Sequence, residues 1–322
     1  MANNFGQALD FEKPVLELEK QIEEIKQFSI DKKIDMSEQI RVLEEKAEML
    51  RADVLKNLTP WQRIQIARHP KRPTFLDYIG MIFPDFMELH GDRSFRDDPA
   101  MVGGIASLEG IPVTVIGQQK GRDTKENIYR NFGLPHPEGY RKALRLMEQA
   151  NKFRRPIICL VDVIGAYHGV QAEERGQGEA IARNIRDMAN LTVPVIAVII
   201  GEGGSGGALG IAVGNYVLMM ENAIYTVISP EGCSAILWKD QDHVEAAAKA
   251  LRITAQDLLS FGFIDDIIPE PAGGAQTDHD AAAGALDSKL YPALQSLLGK
   301  SGSELREQRY QKFRCMGAVE SC

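Results

Sequence analysis

The chain has 322 residues, 44% hydrophobic and 25% charged, with a formal net charge of −8. That composition suits one large soluble domain with appendages, and the acidic balance argues against specific or general nucleic-acid binding. Four scattered cysteines (Cys159, Cys233, Cys315, Cys322) show no C-x-x-C spacing. This argues against a zinc site or a disulfide framework in this chain and fits a reducing cytoplasm.

The first ten residues, M-A-N-N-F-G-Q-A-L-D, have neither the basic start nor the apolar core of a signal peptide. No apolar run approaches the ~20 residues that span a bilayer, so a cytoplasmic protein with no membrane partner is expected. Residues 12–57 read as a helical hairpin. Val15, Leu18, Ile22 and Ile25 mark one narrow apolar stripe; Ile40, Leu43, Ala47, Leu50 and Val54 mark another after a break at 29–35. Two such helices bury little alone, so this arm is expected to lie on its own core or on a partner. Thr59-Pro60-Trp61-Gln62 predicts a new helix, with Thr59 as cap, Pro60 in the first turn and Gln62 closing a capping box.

From 100 to 230 a unit repeats. Ile111-Pro112-Val113, Arg155-Pro156-Ile157 and Val193-Pro194-Val195 each place a proline at the start of an apolar strand, where its missing N–H does least harm. A glycine-bearing loop follows each strand, at 117–122, 162–169 and 201–207, and then a helix, near 138–153, 172–190 and 206–214. A period of about forty residues with one strand and one helix per turn implies parallel strands joined by crossovers. Ligands then belong at the carboxyl ends of the strands, where all three loops fall.

The third loop is the most informative. An unbroken apolar run, 195–200, reads as a strand buried on both faces. Gly201, Gly203, Gly204, Gly206 and Gly207 follow, then the small residues of a helix. Glycines permit close backbone approach, and the first N–H groups of a helix have no internal partner. Three readings compete. Gly203-Gly204-Ser205-Gly206-Gly207 matches the G-x-S-x-G nucleophile elbow, with Ser205 as nucleophile. Gly201 to Gly206 matches the dinucleotide fingerprint G-x-G-x-x-G, with Glu221 placed to hold a ribose. The third is an oxyanion hole built from the N–H groups of Gly206 and Gly207. The fingerprint is weakened by a crossover helix that is short and interrupted by Gly210 and Gly214. The elbow is weakened because its base would be His243, in a charged stretch, or His279, in a polar linker. Gly299-Lys300-Ser301 mimics the end of a P-loop, but Leu294 stands where the first glycine belongs.

Residues 120–155 are strongly basic within this acidic chain. Arg141, Lys142 and Arg145 suit a solvated helix face; Lys120 and Arg122 flank Gly121 at a strand end and suit a carboxylate or phosphate. Glu173, Glu174 and Arg175 open the second crossover helix, 172–190, as simple capping charges. Two more strands are expected at 216–220 and 223–228, and Ser229-Pro230-Glu231-Gly232-Cys233 turns into a helix. Residues 269–280 read as a linker before two C-terminal helices. The expected organisation is an arm at 1–58, a catalytic domain at 59–268, and a linker with C-terminal helices at 269–322.

The ordered set Gln119-Lys120-Gly121-Arg122, Asn131-Phe132-Gly133, Pro137-Glu138-Gly139-Tyr140-Arg141-Lys142-Ala143, Ala172-Glu173-Glu174-Arg175-Gly176-Gln177, Gly201-Glu202-Gly203-Gly204-Ser205-Gly206-Gly207-Ala208 and Ile228-Ser229-Pro230-Glu231-Gly232 closely resembles the carboxyltransferase α-subunit family of bacterial acetyl-CoA carboxylase, over nearly the whole chain. The resemblance implies an α/β fold of the crotonase type, a spiral of ββα units. It implies transfer of a carboxyl group from carboxybiotin, held in trans on a biotin carboxyl carrier protein and loaded by biotin carboxylase, to acetyl-CoA, giving malonyl-CoA for fatty acid synthesis. It implies an α2β2 assembly whose β subunit carries the zinc, and no metal in this chain. Gly206 and Gly207 are then expected to steady the ureido oxygen of biotin, with no side chain attacking anything. Lys120 or Arg122 is placed to grip the migrating carboxylate, and Gly165, Ala166, Gly203, Gly204 and Ser205 to line the substrate.

One stretch departs from the family, which usually reads D-T-P-G-A-Y-P-G where this chain has Asp162-Val163-Ile164-Gly165-Ala166-Tyr167-His168-Gly169. Losing two rigid prolines loosens a loop at the crevice, and His168 reads as a bystander. Two other classes stand beside the main reading. One is a self-contained acyl-CoA hydratase or hydrolase of the same fold, tested by Ser205→Ala. The other is a scaffold that has lost its chemistry, motivated by the altered 163–168 loop.

Overall fold

Alternating charge and apolar residues put the N-terminal segment into two helices, α1 (Lys13–Lys32) and α2 (Ser37–Lys56). The computed structural model describes residues 9–317 except Lys33. The two helices pack on each other. Val15, Ile22 and Ala47 of the expected stripes are buried between them, and Lys26 pairs with Glu44 across the hairpin at 2.7 Å. Outside the stripes, Ile30 and Met49 are exposed. The next helix, α3 (Pro60–Ala67), begins as its sequence requires: Thr59 Oγ1 accepts from the Gln62 N–H, and the Gln62 side chain accepts from the Thr59 N–H.

After α4 (Phe75–Ile82) the chain builds one eight-stranded sheet. In chain order its strands are β1 (Met87–Glu88), β2 (Met101–Leu108), β3 (Ile111–Gln118), β4 (Ile157–Val163), β5 (Val195–Gly204), β6 (Tyr216–Met220), β7 (Ile224–Thr226) and β8 (Asp266–Ile268). The sheet order is β1-β2-β3-β4-β5-β6-β8, with β7 beside the last residues of β5. β1, β2 and β3 pair antiparallel; β3 to β6 and β8 run parallel. The strand-opening prolines behave as their chemistry demands. Pro156 lends its carbonyl to the Thr114 N–H and Pro194 lends its carbonyl to the Ile157 N–H, each at 2.9 Å, at the strand starts where proline is tolerated.

The crossovers are α6 (Pro137–Lys152) from β3 to β4, α8 (Gln177–Asn190) from β4 to β5, and α9 (Ser205–Ala212) from β5 to β6. Two short helices precede the first two: α5 (Thr124–Tyr129) and α7 (Val170–Glu174). The single helix expected at 172–190 is therefore broken. Gly176 takes φ +80°, a left-handed conformation that ends α7 and turns the chain into α8. β5 also differs from expectation. It does not stop at Ile200 but runs through Gly204, buried along its whole length.

The rest of the chain closes the fold with α10 (Pro230–Leu237), α11 (Val244–Leu251), α12 (Ala255–Ser260), α13 (His279–Leu297) and α14 (Gly302–Cys315). The false P-loop resolves here, since Ser301 caps α14 in a capping box with Glu304. The stretch read as a linker is tied down. Glu270 is buried and accepts two hydrogen bonds from buried Arg72, at 2.9 and 2.6 Å.

Arg309 of α14 is fully buried and caps the carbonyls at the end of α8 and in the segment that leads into β5. Its guanidinium donates to the carbonyls of Met188, Leu191 and Val193 and to Asn215 Oδ1, at 2.8, 2.9, 3.1 and 2.5 Å. Burial pushes its pKa down to about 10. Arg309→Met would strand these acceptors and is expected to cost about 2–3 kcal/mol, read as a lower thermal midpoint.

Candidate active site at the head of helix α9

The site begins with a fault in the sheet. Val161 pairs with Ile199, but the next pair is Val163 with Gly203, so Asp162 alone faces residues 200–202 of β5. A bulge of this kind frees backbone groups that buried structure must satisfy otherwise. Three side chains do so. Gln118 Oε1 accepts from the Asp162 N–H at 3.2 Å, Arg72 Nε donates to the Ile200 carbonyl at 2.9 Å, and Asp162 Oδ1 accepts from the Glu202 N–H at 2.9 Å. Gly201 is required here, because a Cβ would collide with the Asp162 carboxylate. Beyond the bulge, Gly203 and Gly204 pair with Tyr225 and Thr226 of β7.

Helix α9 starts at once, so the N–H groups of Ser205, Gly206 and Gly207 form its first turn, where no intrahelical acceptor exists. The loop after β4 lies against this turn. A Cβ on Gly204 would collide with the Ile164 carbonyl, and one on Gly207 would sit 2.6 Å from the Gly165 carbonyl carbon and 2.7 Å from the Ala166 nitrogen. Gly165 and Ala166 therefore abut the expected oxyanion-hole segment. Gly206 is different: a Cβ there would meet only Ile181, at 3.6 Å.

A chain of charges underlies the turn. Lys120 Nζ donates to Asp162 Oδ1 at 2.6 Å and to Glu202 Oε1 at 3.3 Å; Glu202 also pairs with Arg68 at 2.8 Å, and Arg68 with Glu231 at 2.5 Å. Burial works to raise the Glu202 pKa, but Lys120 and Arg68 outweigh it and hold the carboxyl below its ordinary value. Burial likewise works against the Lys120 ammonium, and the two carboxylates more than offset it. The Lys120 ammonium, expected to grip a substrate carboxylate, lies between these two anions. Arg122 is also engaged, paired with Asp77. The cation that lines the cleft beside Gly203, Gly204 and Ser205 is Arg68, together with Ile164, Thr226 and Ser229. From Ser205, Thr226 and Val227 a second, apolar cavity of about 370 Å³ extends toward Leu209, Phe261, Phe263 and Phe313.

The competing readings lose their parts. Ser205 does have the strained positive φ of an elbow, +49°. Its two candidate bases are occupied elsewhere, His243 with Asp240 at 2.8 Å and His279 with the Lys71 carbonyl at 2.8 Å. Glu221, the ribose candidate, accepts from the Glu270 N–H at 3.2 Å. The basic residues of α6 are structural. Arg141 pairs with Asp92, Lys142 with Asp97, and Arg145 donates to the Gly91 carbonyl. Arg175 reaches Glu138 at 3.0 Å rather than serving as a capping charge. His168 is exposed and stacks loosely on Tyr167. Sequence reasoning missed Arg68, Gln118 and Asp162. The one available signal was an acidic or amide residue at each of three strand ends. Among the described residues no cluster of His, Cys, Asp and Glu could hold a metal ion.

A family model described as acetyl co-enzyme A carboxylase carboxyltransferase-like matches residues 8–317. The acetyl-coenzyme A carboxylase carboxyl transferase subunit alpha of Geobacillus thermodenitrificans is 58% identical over 311 residues, 97% of this chain and 96% of that protein. That of Listeria welshimeri is 54% identical over 312 residues, 97% of this chain and 98% of that protein. Among solved structures, transcarboxylase 12S with methylmalonyl-coenzyme A bound superposes with a TM-score of 0.58 at 20% identity. The match covers 70% of this chain and spans 41% of that one. A Pseudomonas malonate decarboxylase hetero-tetramer in complex with coenzyme A gives 0.58 at 18% identity, covering 73% of this chain and 91% of that one. These two establish the crotonase-type α/β fold. The full-length relatives decide the activity and leave the hydratase or hydrolase reading without support. With the model spanning nearly the whole chain and relatives more than half identical, the chain belongs to the carboxyltransferase α-subunit family of acetyl-coenzyme A carboxylase.

Proposed function

We propose that the N–H groups of Gly206 and Gly207 stabilise the oxygen on which charge gathers when a carboxyl group passes from carboxybiotin to acetyl-CoA. Carboxybiotin, presented by a biotin carboxyl carrier protein and regenerated by biotin carboxylase, supplies the carboxyl group, a ureido oxygen that becomes anionic, and a nitrogen that accepts the acetyl proton. The site suits such a group. Its lining combines apolar Ile164, Val227 and Ile228 and the glycines Gly203 and Gly204 with polar Arg68, Glu202 and Thr226, and the first-turn amides of α9 follow directly on Ser205. The observation that carries this reading is the first turn of α9, which opens directly from a buried strand with no side chain positioned as nucleophile and base. Donors fixed before charge appears need no reorganisation, which is why two backbone amides can be worth several kcal/mol at a transition state.

The chain supplies half of the reaction centre. Ile128, Tyr129, Phe132, Ile164, Val227 and Leu237 are large, apolar and exposed, and each lies on a segment following a strand's carboxyl end. Such residues around a cleft mark a surface that another protein covers. We assign it to the zinc-bearing β subunit of an α2β2 assembly, whose own amides would hold the thioester enolate. No described helix is long and apolar enough to cross a membrane, and the enzyme is assigned to the cytoplasm with its carrier.

The test is decarboxylation of malonyl-CoA in the presence of biocytin. Turnover is expected only when this chain and its β subunit are combined. Turnover by this chain alone would refute the division of labour.

A further inference from the structure

The bulge at Asp162 and the head of α9 are joined by one side chain. Gln118, the last residue of β3, is fully buried. Its Oε1 accepts from the Asp162 N–H at 3.2 Å, and its Nε2 donates to the Gly207 carbonyl at 3.2 Å. The same carbonyl accepts from the buried Tyr140 hydroxyl at 3.1 Å. Asp162 in turn fixes the Glu202 N–H, and Lys120 holds that carboxylate. The amides at 206 and 207 are thus set from two sides, by strand β5 arriving through Glu202 and by the Gly207 carbonyl anchored from β3.

We propose that Gln118 is a positioning residue for carboxyl transfer: its amide links Asp162, opposite the β5 bulge, to the first turn of α9 and thereby sets where the Gly206 and Gly207 N–H groups point. The assignment rests on the oxyanion-hole reading above. Gln118 lines neither of the two cavities described above. Its effect passes through one carbonyl, and that carbonyl belongs to a residue whose own N–H is one of the two donors. An error of 1 Å in such a group, caused at a distance, can cost roughly 10²-fold in rate. Here Tyr140 still holds the carbonyl when Gln118 is lost, so a smaller loss is expected.

The experiment uses the assembled complex with its β subunit, malonyl-CoA and biocytin. Gln118→Met keeps length and burial but removes both hydrogen bonds. Gln118→Glu keeps the acceptor for Asp162 and sets an oxygen against the Gly207 carbonyl. Both are expected to lower kcat roughly tenfold with the KM for malonyl-CoA unchanged, because the thioester is held elsewhere. Arg309→Met serves as the control for stability alone: a lower thermal midpoint with wild-type kcat per folded complex. Wild-type kcat in Gln118→Met would overturn the proposal, as would equal losses in Gln118→Met and Arg309→Met. Gly206→Pro separates this proposal from the reading beneath it. If Gly206→Pro fails and Gln118→Met does not, the amides act but Gln118 does not place them. If Gly206→Pro turns over normally, the oxyanion-hole reading itself falls.

Discussion

Gly206→Pro in the assembled complex is expected to lower kcat for malonyl-CoA decarboxylation by roughly 10²-fold, while Gly206→Ala stays close to wild type. Alanine reports the space around residue 206; proline removes the donor and also presses on Ser205, whose φ of +49° is disfavoured before proline, so the thermal midpoint is read beside kcat. Residue 206 lies in the first turn of α9, where an N–H has no intrahelical partner and proline breaks no helix bond. A Cβ there would meet Ile181 Cγ2 at 3.6 Å, an ordinary contact, so alanine fits and retains the N–H. Gly207 cannot be used this way. Its Cβ would press on the backbone of Gly165 and Ala166, and a loss of rate would mix a displaced loop with a lost donor. Gly206→Pro at wild-type turnover with a wild-type thermal midpoint would show that this amide meets no developing charge.

Why glycine stands at each of these positions was only partly legible in the sequence. The run 201–207 announced close backbone approach, and that is what Gly204 and Gly207 provide. The sequence presents Gly203 and Gly204 as a loop because, although a strand is expected at 223–228, nothing local announces that β7 pairs with the end of β5. Self-contained local chemistry is legible in the sequence: the capping box at Thr59, the proline-led strands, the forty-residue repeat. Interactions between distant segments were not. Lys120 was recognised as a cation at a strand end, but its two carboxylates come from the ends of other strands. Arg309 falls in the second of the two expected C-terminal helices, and its acceptors lie more than ninety residues earlier in the chain. Charge at one position says little until the fold shows whether an opposite charge is already there.

Lys120→Met is the sharpest test of that last point. If the ammonium gripped a substrate carboxylate, its loss would raise KM or lower kcat and leave stability alone. The structure places it instead between the buried carboxylates of Asp162 and Glu202. Removing one partner from a buried ion pair leaves charge uncompensated and typically costs about 3–5 kcal/mol. Glu202 retains Arg68 and Asp162 retains the Glu202 N–H, so the lower end is expected, read as a fall in the urea midpoint of the complex at neutral pH. The sign of the pH dependence follows from Glu202. Its folded-state pKa is depressed, so the stability contributed by its ionised form is present above the ordinary carboxylate range and is lost as pH falls through the folded value. The gap between Lys120→Met and wild type is therefore widest at neutral pH and narrows as the medium is acidified toward the carboxylate range. A gap that stays constant with pH, or a variant with normal stability and a raised KM, would return Lys120 to the substrate.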